Sequence, residues 1–461
     1  MARYDAVVVG SGPNGLVGAV TLAAAGRKVL LLERAEQFGG GLRSRELTLP
    51  GHVHDVCAAV LPMALASPAM RDLGLDVEFA HPEVPAAHPL DDRPAVLVHR
   101  DARRTAEQFG RDRGAWLRTI GATTSFPLVD TLLSPLSLPK APLRAVRFGA
   151  FGSLPATTLG RYGFRTEEAR AALAGMAAHT MLDLRAPITA GFGMILAGLA
   201  HLVGWPLVRG GSQRLADALV ARLRELGGTA VAGHHVRDLR ELDADVVLLD
   251  VSPKGFAGMA ELPAGYRRSL ERFRYGPGVF KVDWALDGPV PWRDPAVARA
   301  GTVHLGGTMA EIALSEAEVA AGRHAARPYV LLVQPYAADP TRGGFTLWAY
   351  CHVPSGSTRD MTSAIEAQIE RFAPGFRDRV LARHTMDSAA MQAHDVNYVG
   401  GDINGGLSSL LQFVRRPVWS PAPWRTPLPG VYLCSASTPP GGGVHGMGGF
   451  HAARLALANN R

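Results

Sequence analysis

Lysine is nearly missing from this 461-residue chain, occurring only at positions 28, 140, 254 and 281. The formal net charge of +7 therefore comes almost wholly from arginine, and no basic run is interleaved with aromatic residues. That pattern excludes a nucleic-acid partner and leaves anionic-ligand binding plus compositional bias as the source of the charge; contact with an anionic membrane surface stays open. Cysteine is scarce too. Cys57, Cys351 and Cys434 are far apart and form no C-x-x-C, which excludes a dithiol reductase mechanism and fits a reducing cytoplasm. The one His/Asp group, His52, His54 and Asp55, has no partner cluster at ligand spacing, so no metal is expected and ordinary hydrogen-bonding roles are. Charged residues are 19% against 47% hydrophobic, which excludes a disordered chain, and the length calls for more than one core. No secretory leader is expected, because the apolar N-terminal stretch already has another use.

That use lies in Tyr4 to Arg45. Asp5 to Val9 reads as a buried strand, Gly10, Gly12 and Gly15 follow in G-x-G-x-x-G spacing around Pro13 and Asn14, and Leu16 to Ala25 reads as a helix. Lys28 to Leu32 is a second apolar strand, ending at Glu33. Gly10 permits the tight turn, Gly12 lets backbone amides approach a pyrophosphate, and Gly15 lets helix and strand pack closely. The helix N-terminus adds unpaired N–H groups and partial positive charge. Glu33, 18 residues beyond Gly15, is placed to accept hydrogen bonds from ribose hydroxyls. Its charge argues for FAD or NAD over NADP, and the neighbouring Arg34 weakens that only slightly. A lone glycine motif is weak, but strand, helix and acidic second strand are the context it requires.

Further along, Leu132 to Leu154 is rich in Pro and Leu and carries Lys140, Arg144 and Arg147. It reads as a proline-broken helical connection, with a mobile lid or lipid-touching surface as the other reading. Ala186 to Val208 is 23 residues without a formal charge. Its two prolines and four glycines argue for a buried helix walling an apolar pocket, not a membrane span. After Gly210-Gly211-Ser212-Gln213, a helix from Arg214 to Leu226 and strands at Thr229 to Val236 and Asp245 to Asp250 return to the cofactor unit. Val279 to Leu286, Val303 to Leu305, Tyr329 to Gln334 and Thr346 to His352 alternate as strands of an antiparallel sheet with one covered face. Met361 to Arg371 is a helix candidate beginning the last approach to the active site. Val431 to Cys434 reads as a strand and Phe450 to Ala458 as a helix, separated by SASTPPGGGVHGMGG. No second strand follows, so this glycine turn does not build a second dinucleotide fold. It closes instead on the ligand of the first, its helix N-terminus favouring negative charge there.

Gly39-Gly40-Gly41-Leu42-Arg43-Ser44 resembles the G-G-x-x-R-S/T extension of flavoproteins of the amine oxidase and phytoene desaturase superfamily. The C-terminal PPGGGVHGM is similar to a block of the carotenoid isomerase-like and "pyridine nucleotide-disulfide oxidoreductase domain-containing protein 2"-like flavoproteins. GGSQ, KVDWALDG and NYVGGDINGG extend the resemblance over nearly the whole chain, more loosely between about residues 90 and 180. Ser435 departs from it, standing where that family usually has glycine. The resemblance implies an α/β fold: a Rossmann-like FAD-binding domain (1–90, 209–278 and 395–461) with an inserted α+β substrate domain on an antiparallel sheet (91–208 and 279–394). It implies FAD held by Gly10, Gly12, Pro13, Asn14, Gly15, Glu33, Arg34, Gly40, Gly41, Arg43, Val236 near the adenine, Ser435, Gly443, Val444 and His445. The activity implied is removal, addition or rearrangement of hydrogen at C–C bonds of a lipophilic alkene, terpenoid or secondary metabolite by hydride exchange with flavin N5. His445 is the first candidate for a polar group beside the flavin, with His394, Asp395 and Asn404 next. Its other reading is a residue that only hydrogen-bonds the turn or a flavin carbonyl. An amine or amino-acid oxidase, and a non-catalytic FAD-binding interaction protein, are the alternative functions. The apolar substrate, the electron acceptor and the oligomeric state are not identified by the sequence; the expected location is cytoplasmic, with peripheral membrane contact open.

Overall fold

The computed structural model describes residues 3–459. Two sheets organise them. The first is parallel, in the order Val431–Leu433, Ala244–Leu249, Tyr4–Val9, Val29–Leu32, Thr229–Val231. Its centre is nearly pure Val and Leu: Val8 lies opposite Leu248 on one side and Leu31 on the other. Such runs form strands because both faces are buried, and β-branched side chains pack well on a pleated surface. One face is covered by the helices Pro13–Ala24, Gln213–Glu225 and Met447–Asn459 around Leu16, Val20, Leu219 and Ala453. Phe256, Met259 and Leu270 cover the other. The Thr229 strand ends at Val231, short of the expected Val236, since the chain turns at Gly233, whose φ is +70°.

The second sheet has seven strands, in the order Val380–Met386, Gly278–Leu286, Phe345–Val353, Val330–Val333, Ala300–Leu305, Val84–His88, Val96–Val98. All pairings are antiparallel except Ala300–Leu305 with Val84–His88. The four expected strands are its middle. Val84–His88, Val96–Val98 and Val380–Met386 escaped notice, and the first of these lies before the boundary drawn at residue 90.

The expectation of one covered face is corrected. Every residue of Gly278–Leu286 is buried. Phe280, Val282, Trp284 and Leu286 pack beneath Ile365, Ile369 and Phe372 of the helix Thr362–Phe372. That helix therefore sits on the sheet's far face instead of leading to the active site. The intervening polar positions are buried as well, because they pair: Lys281 Nζ lies 2.5 Å from both oxygens of Asp283, and His54 Nδ1 is 3.5 Å from the same carboxylate. Alternation thus records polarity, not exposure. The nearby Asp55 is spent on Arg342, Ser44 and the Ser212 amide, at 2.6–2.8 Å, which pins the Gly210–Gln213 loop.

The apolar stretch from 186 to 208 contains the buried helix Thr189–Leu202, and no helix of the described residues is long and apolar enough to cross a membrane. Residues 132–154 form a broken connection into the helix Pro142–Gly152, on which Leu143 is 86% exposed.

Candidate active site

A cavity of about 770 Å³ runs from the glycine turn of the first sheet to the strands of the second. The cofactor end is built from backbone. Val9 delivers the chain into Gly10, whose φ of +97° only glycine adopts easily, and a Cβ there would meet the Asp250 carbonyl at 2.7 Å. Gly12 precedes the helix Pro13–Ala24 and no side chain caps it. Gly15 lies beneath the cavity, where a Cβ would collide with the Gly10 carbonyl. Gly40 and Gly41 come in from the other side; a Cβ on Gly40 would meet Gly12 Cα at 3.0 Å, and one on Gly41 would collide with the Tyr398 hydroxyl. Gly10, Gly12, Pro13, Asn14, Gly40 and Gly41 all line the cavity.

Glu33 and Arg34 line it as well. The Glu33 carboxylate accepts from the Ser11 amide (2.9 Å), the Ser11 hydroxyl (2.6 Å) and the Ala35 amide (2.8 Å), so it also splints the turn. Arg43 is 4% exposed; Nη1 donates to the His394 carbonyl at 3.1 Å, and Nε has no partner among the described residues. A buried guanidinium with an unused donor, beside an uncapped helix N-terminus and a glycine-only passage, fits an anionic dinucleotide. Val236 lines the same end, and Ser435, Gly443 and Val444 close it from the C-terminal segment. Gly448 donates to Asn14 Oδ1 at 3.1 Å, and a Cβ at Gly449 would collide with the Asn14 carbonyl, so the two glycine-rich ends of the chain interlock.

The four catalytic candidates part company. His445 does not line the cavity and is 1% exposed. Its Nδ1 accepts from the Met447 amide at 3.0 Å, which leaves Nε2 to donate to the Gly441 carbonyl at 3.2 Å. Both ring nitrogens are spent on its own turn, and burial holds its pKa down to about 4. The reading of His445 as a group beside the flavin is therefore corrected: it staples the loop. His394 also lies outside the lining; it offers Arg43 its carbonyl, while burial and then the charge of Arg43 bring its ring to about 3. Asp395 does line the cavity, but at the glycine end, with Oδ2 3.4 Å from where a Gly40 Cβ would stand. Asn404 lines it too, its amide 3.5 Å from the His179 carbonyl.

Residues not anticipated complete the site. Asp250, ending the Ala244–Leu249 strand, lies under the glycine turn and accepts from the Gly15 amide at 2.9 Å. Burial raises its pKa to about 7, the negative Asp395 and Glu33 add to the rise, and the Gly15 amide opposes it. The only trace in sequence is that VVLLD repeats the shape of VLLLE. At the far end His179, Leu196, Trp205, Leu331, Val333 and Trp348 line the cavity. They are scattered from position 179 to position 348, and no motif marks them. Trp348 stacks on Tyr350 with centroids 5.8 Å apart and 14° between planes. Among the described residues, no group of His, Cys, Asp and Glu is placed to hold a metal ion.

Residues 8–73 match the model of the NAD(P)-binding Rossmann-like domain. Pyridine nucleotide-disulfide oxidoreductase domain-containing protein 2 of Mus musculus is 26% identical over 98% of this chain and 93% of its own length. The chain is thus similar over nearly its whole length to a protein named for an oxidoreductase domain, and its N-terminal part to a dinucleotide-binding domain. One of the subunits of the limonene dehydrogenase of Castellaniella defragrans is 28% identical over 56% of this chain and 49% of its own. Among solved structures, putrescine oxidase shares the fold with a TM-score of 0.65 at 16% identity, covering 100% of this chain and 99% of its own. The protein thus has the expected α/β architecture.

Proposed function

We propose that this flavoprotein moves hydrogen at C–C bonds of an apolar small molecule, terpenoid-like or polyene-like, by desaturation, saturation or isomerisation. One observation carries the reading: the end of the cavity formed by the second sheet is walled by Leu196, Trp205, Leu331, Val333 and Trp348, with no arginine or carboxylate among the described residues lining that end. The charged residues cluster instead at the glycine end, where Arg43 and the helix N-terminus would hold the diphosphate and Glu33 the ribose. Bound FAD supplies a two-electron acceptor or donor at N5. The chain's own part is to bind the substrate by apolar burial, exclude water and hold a carbon close to that atom. Similarity to part of a limonene dehydrogenase supports the substrate class.

Oxidation of an amine is the second reading. The stacked Trp348 and Tyr350, with Tyr398 also in the lining, offer aromatic faces to an alkylamine, and the fold is shared with putrescine oxidase. The missing arginine speaks against an amino acid, whose carboxylate would need one. Anaerobic bleaching of the flavin decides between the readings. Limonene and related terpenes are expected to bleach it; bleaching by putrescine or a monoamine, with none by terpenes, overturns the first reading.

A further inference from the structure

We propose that His179, His304 and His88 form a proton relay opening on the substrate end of the cavity, with His179 Nδ1 as the acid–base group that the hydride chemistry requires. The inference rests on the oxidoreductase reading above, but not on which substrate is correct.

The three imidazoles stand in a line. His179 Nε2 is 3.0 Å from His304 Nε2, and His304 Nδ1 is 3.3 Å from His88 Nε2. His179 lines the cavity, whereas His304 and His88 do not; they are each 1% exposed, on neighbouring strands of the second sheet. Trp205 meets His179 and His304 edge-on at 5.5 and 5.7 Å, closing the line against water. Residue 175 has to be glycine, because a Cβ would collide with the His88 ring and come within 3.0 Å of His304 Nδ1. The space is thus shaped for three rings in contact. Their nitrogens pair end to end and do not converge on a common point, as metal ligands would.

Hydrogen bonding restricts how three neutral rings can be protonated. Each carries one N–H, and each contact needs one donor and one acceptor. Two arrangements satisfy both contacts. In the first, His179 Nε2–H donates to His304, His304 Nδ1–H donates to His88, and the lone pair of His179 Nδ1 faces the cavity as a base. In the second every N–H points the other way, and His179 Nδ1–H faces the cavity as an acid. Among the described residues His179 Nδ1 has no partner, and His88 Nδ1 is buried without one, so neither end locks the line in one direction. Around the line stand Tyr329, whose hydroxyl is spent on the Gly175 carbonyl at 2.9 Å, and beyond it His352, bonded to Glu316 at 2.7 Å. Burial keeps all three rings neutral at rest.

For a dehydrogenation the step balances as follows. One substrate C–H breaks, its hydrogen and electron pair leaving to the flavin, the two-electron oxidant. The adjacent C–H, or N–H in an amine, gives its proton to His179 Nδ1, and the pair left behind becomes the new double bond. The Nε2 proton of His179 passes to His304 and the Nδ1 proton of His304 to His88, so the positive charge is shared along the line during the step, and the transfers reverse when His179 Nδ1 releases its proton to the cavity.

The test uses the FAD-loaded protein with ¹⁵N-labelled histidine, comparing wild type with H179Q and H304F. Scalar coupling across the hydrogen bonds is expected between His179 and His304 and between His304 and His88, lost at the first contact in H179Q and at both in H304F. In anaerobic stopped flow, with limonene and putrescine as probes, H179Q should slow flavin reduction by about a hundredfold or more, and H304F by about tenfold. The proton inventory in mixed H2O and D2O should be curved for wild type and linear for H304F, a change that lost packing alone does not produce. Absent couplings overturn the proposal, as do couplings accompanied by an unchanged rate and inventory in H304F. If neither probe reduces the flavin, the substrate reading falls and the couplings alone decide the relay. A variant that fails to retain FAD is replaced by His88→Gln, which should keep the first coupling and lose the second.

Discussion

Asp250 puts a buried carboxyl beneath the glycine turn, where we propose the diphosphate lies, and this arrangement has a measurable cost. The ordinary pKa of 3.8 is raised to about 7, because burial penalises the charged form and Asp395 and Glu33 repel it. A raised folded pKa means that the folded protein holds a proton which the unfolded chain has already released. The contribution of Asp250 to stability therefore falls as pH climbs from about 4 to about 7, by about 1.4 kcal/mol per unit, and levels off above that. Asn in this place keeps an oxygen for the Gly15 amide but carries no charge. Asp250→Asn should then stabilise the protein by about 2 kcal/mol at pH 5.5, rising to about 4 kcal/mol at pH 8. Bound diphosphate adds its field in the same direction and extends the slope upward. Urea unfolding of the FAD-loaded protein, followed by flavin fluorescence and circular dichroism across this range, measures the gap. A gap that does not change with pH would show that Asp250 is ionised throughout, and the reasoning would fail.

Three other outcomes are expected. Arg43→Met should raise the Kd for FAD by about ten- to a hundredfold, the worth of one charge-assisted contact, as read by flavin fluorescence on titration; unchanged affinity would remove Arg43 from the diphosphate. His445→Gln should cost about 1–3 kcal/mol of stability through the broken turn while leaving the rate of flavin reduction within about threefold, and a loss of rate with unchanged stability would restore its catalytic role. Acidification should destabilise the protein from pH 6.5 downward: His88 and His445 sit near pKa 3 and 4, so the unfolded chain takes up protons first, each ring contributing about 1.4 kcal/mol per pH unit, and the two together outweigh the opposite slope of Asp250. An unfolding midpoint flat from pH 7 to 4.5 would contradict this.

The cofactor end of the site was legible because backbone geometry there dictates residue type. A turn at φ +97°, a helix entering without a cap and two passages too narrow for a Cβ leave glycine as the only choice at fixed spacings, and spacing is what a sequence displays. Of the residues assigned to FAD, only Gly15 and His445 do not reach the cavity, and both shape a loop that does. The substrate end gave no such signal. Its wall comes from a helix and neighbouring strands that the fold brings together, and apolar side chains there resemble apolar side chains in any core. The polar face of Gly278–Leu286 was misread for a related reason: the period of two in KVDWALD is real, but the pairing that buries Lys281 and Asp283 is not visible in the string.

The same difference explains why the first histidine chosen is not the one the structure favours. His445 drew attention because it interrupts a run of glycines, and glycine runs mark ligands. Yet a residue in a tight turn is surrounded by unpaired backbone groups, and an imidazole there finds a donor and an acceptor within its own loop. His179 sits in an undistinguished sequence, directly after a helix of small residues, and the helix's glycine at 175 is what admits its two partners. A ring can exchange protons with a substrate only if one nitrogen is left over. In His445 none is, whereas His179 lines the cavity, with Nε2 bonded to His304 and no partner among the described residues for Nδ1. Acid–base competence here follows from where hydrogen bonds are left unmade, a property of the folded arrangement that no spacing of residues encodes.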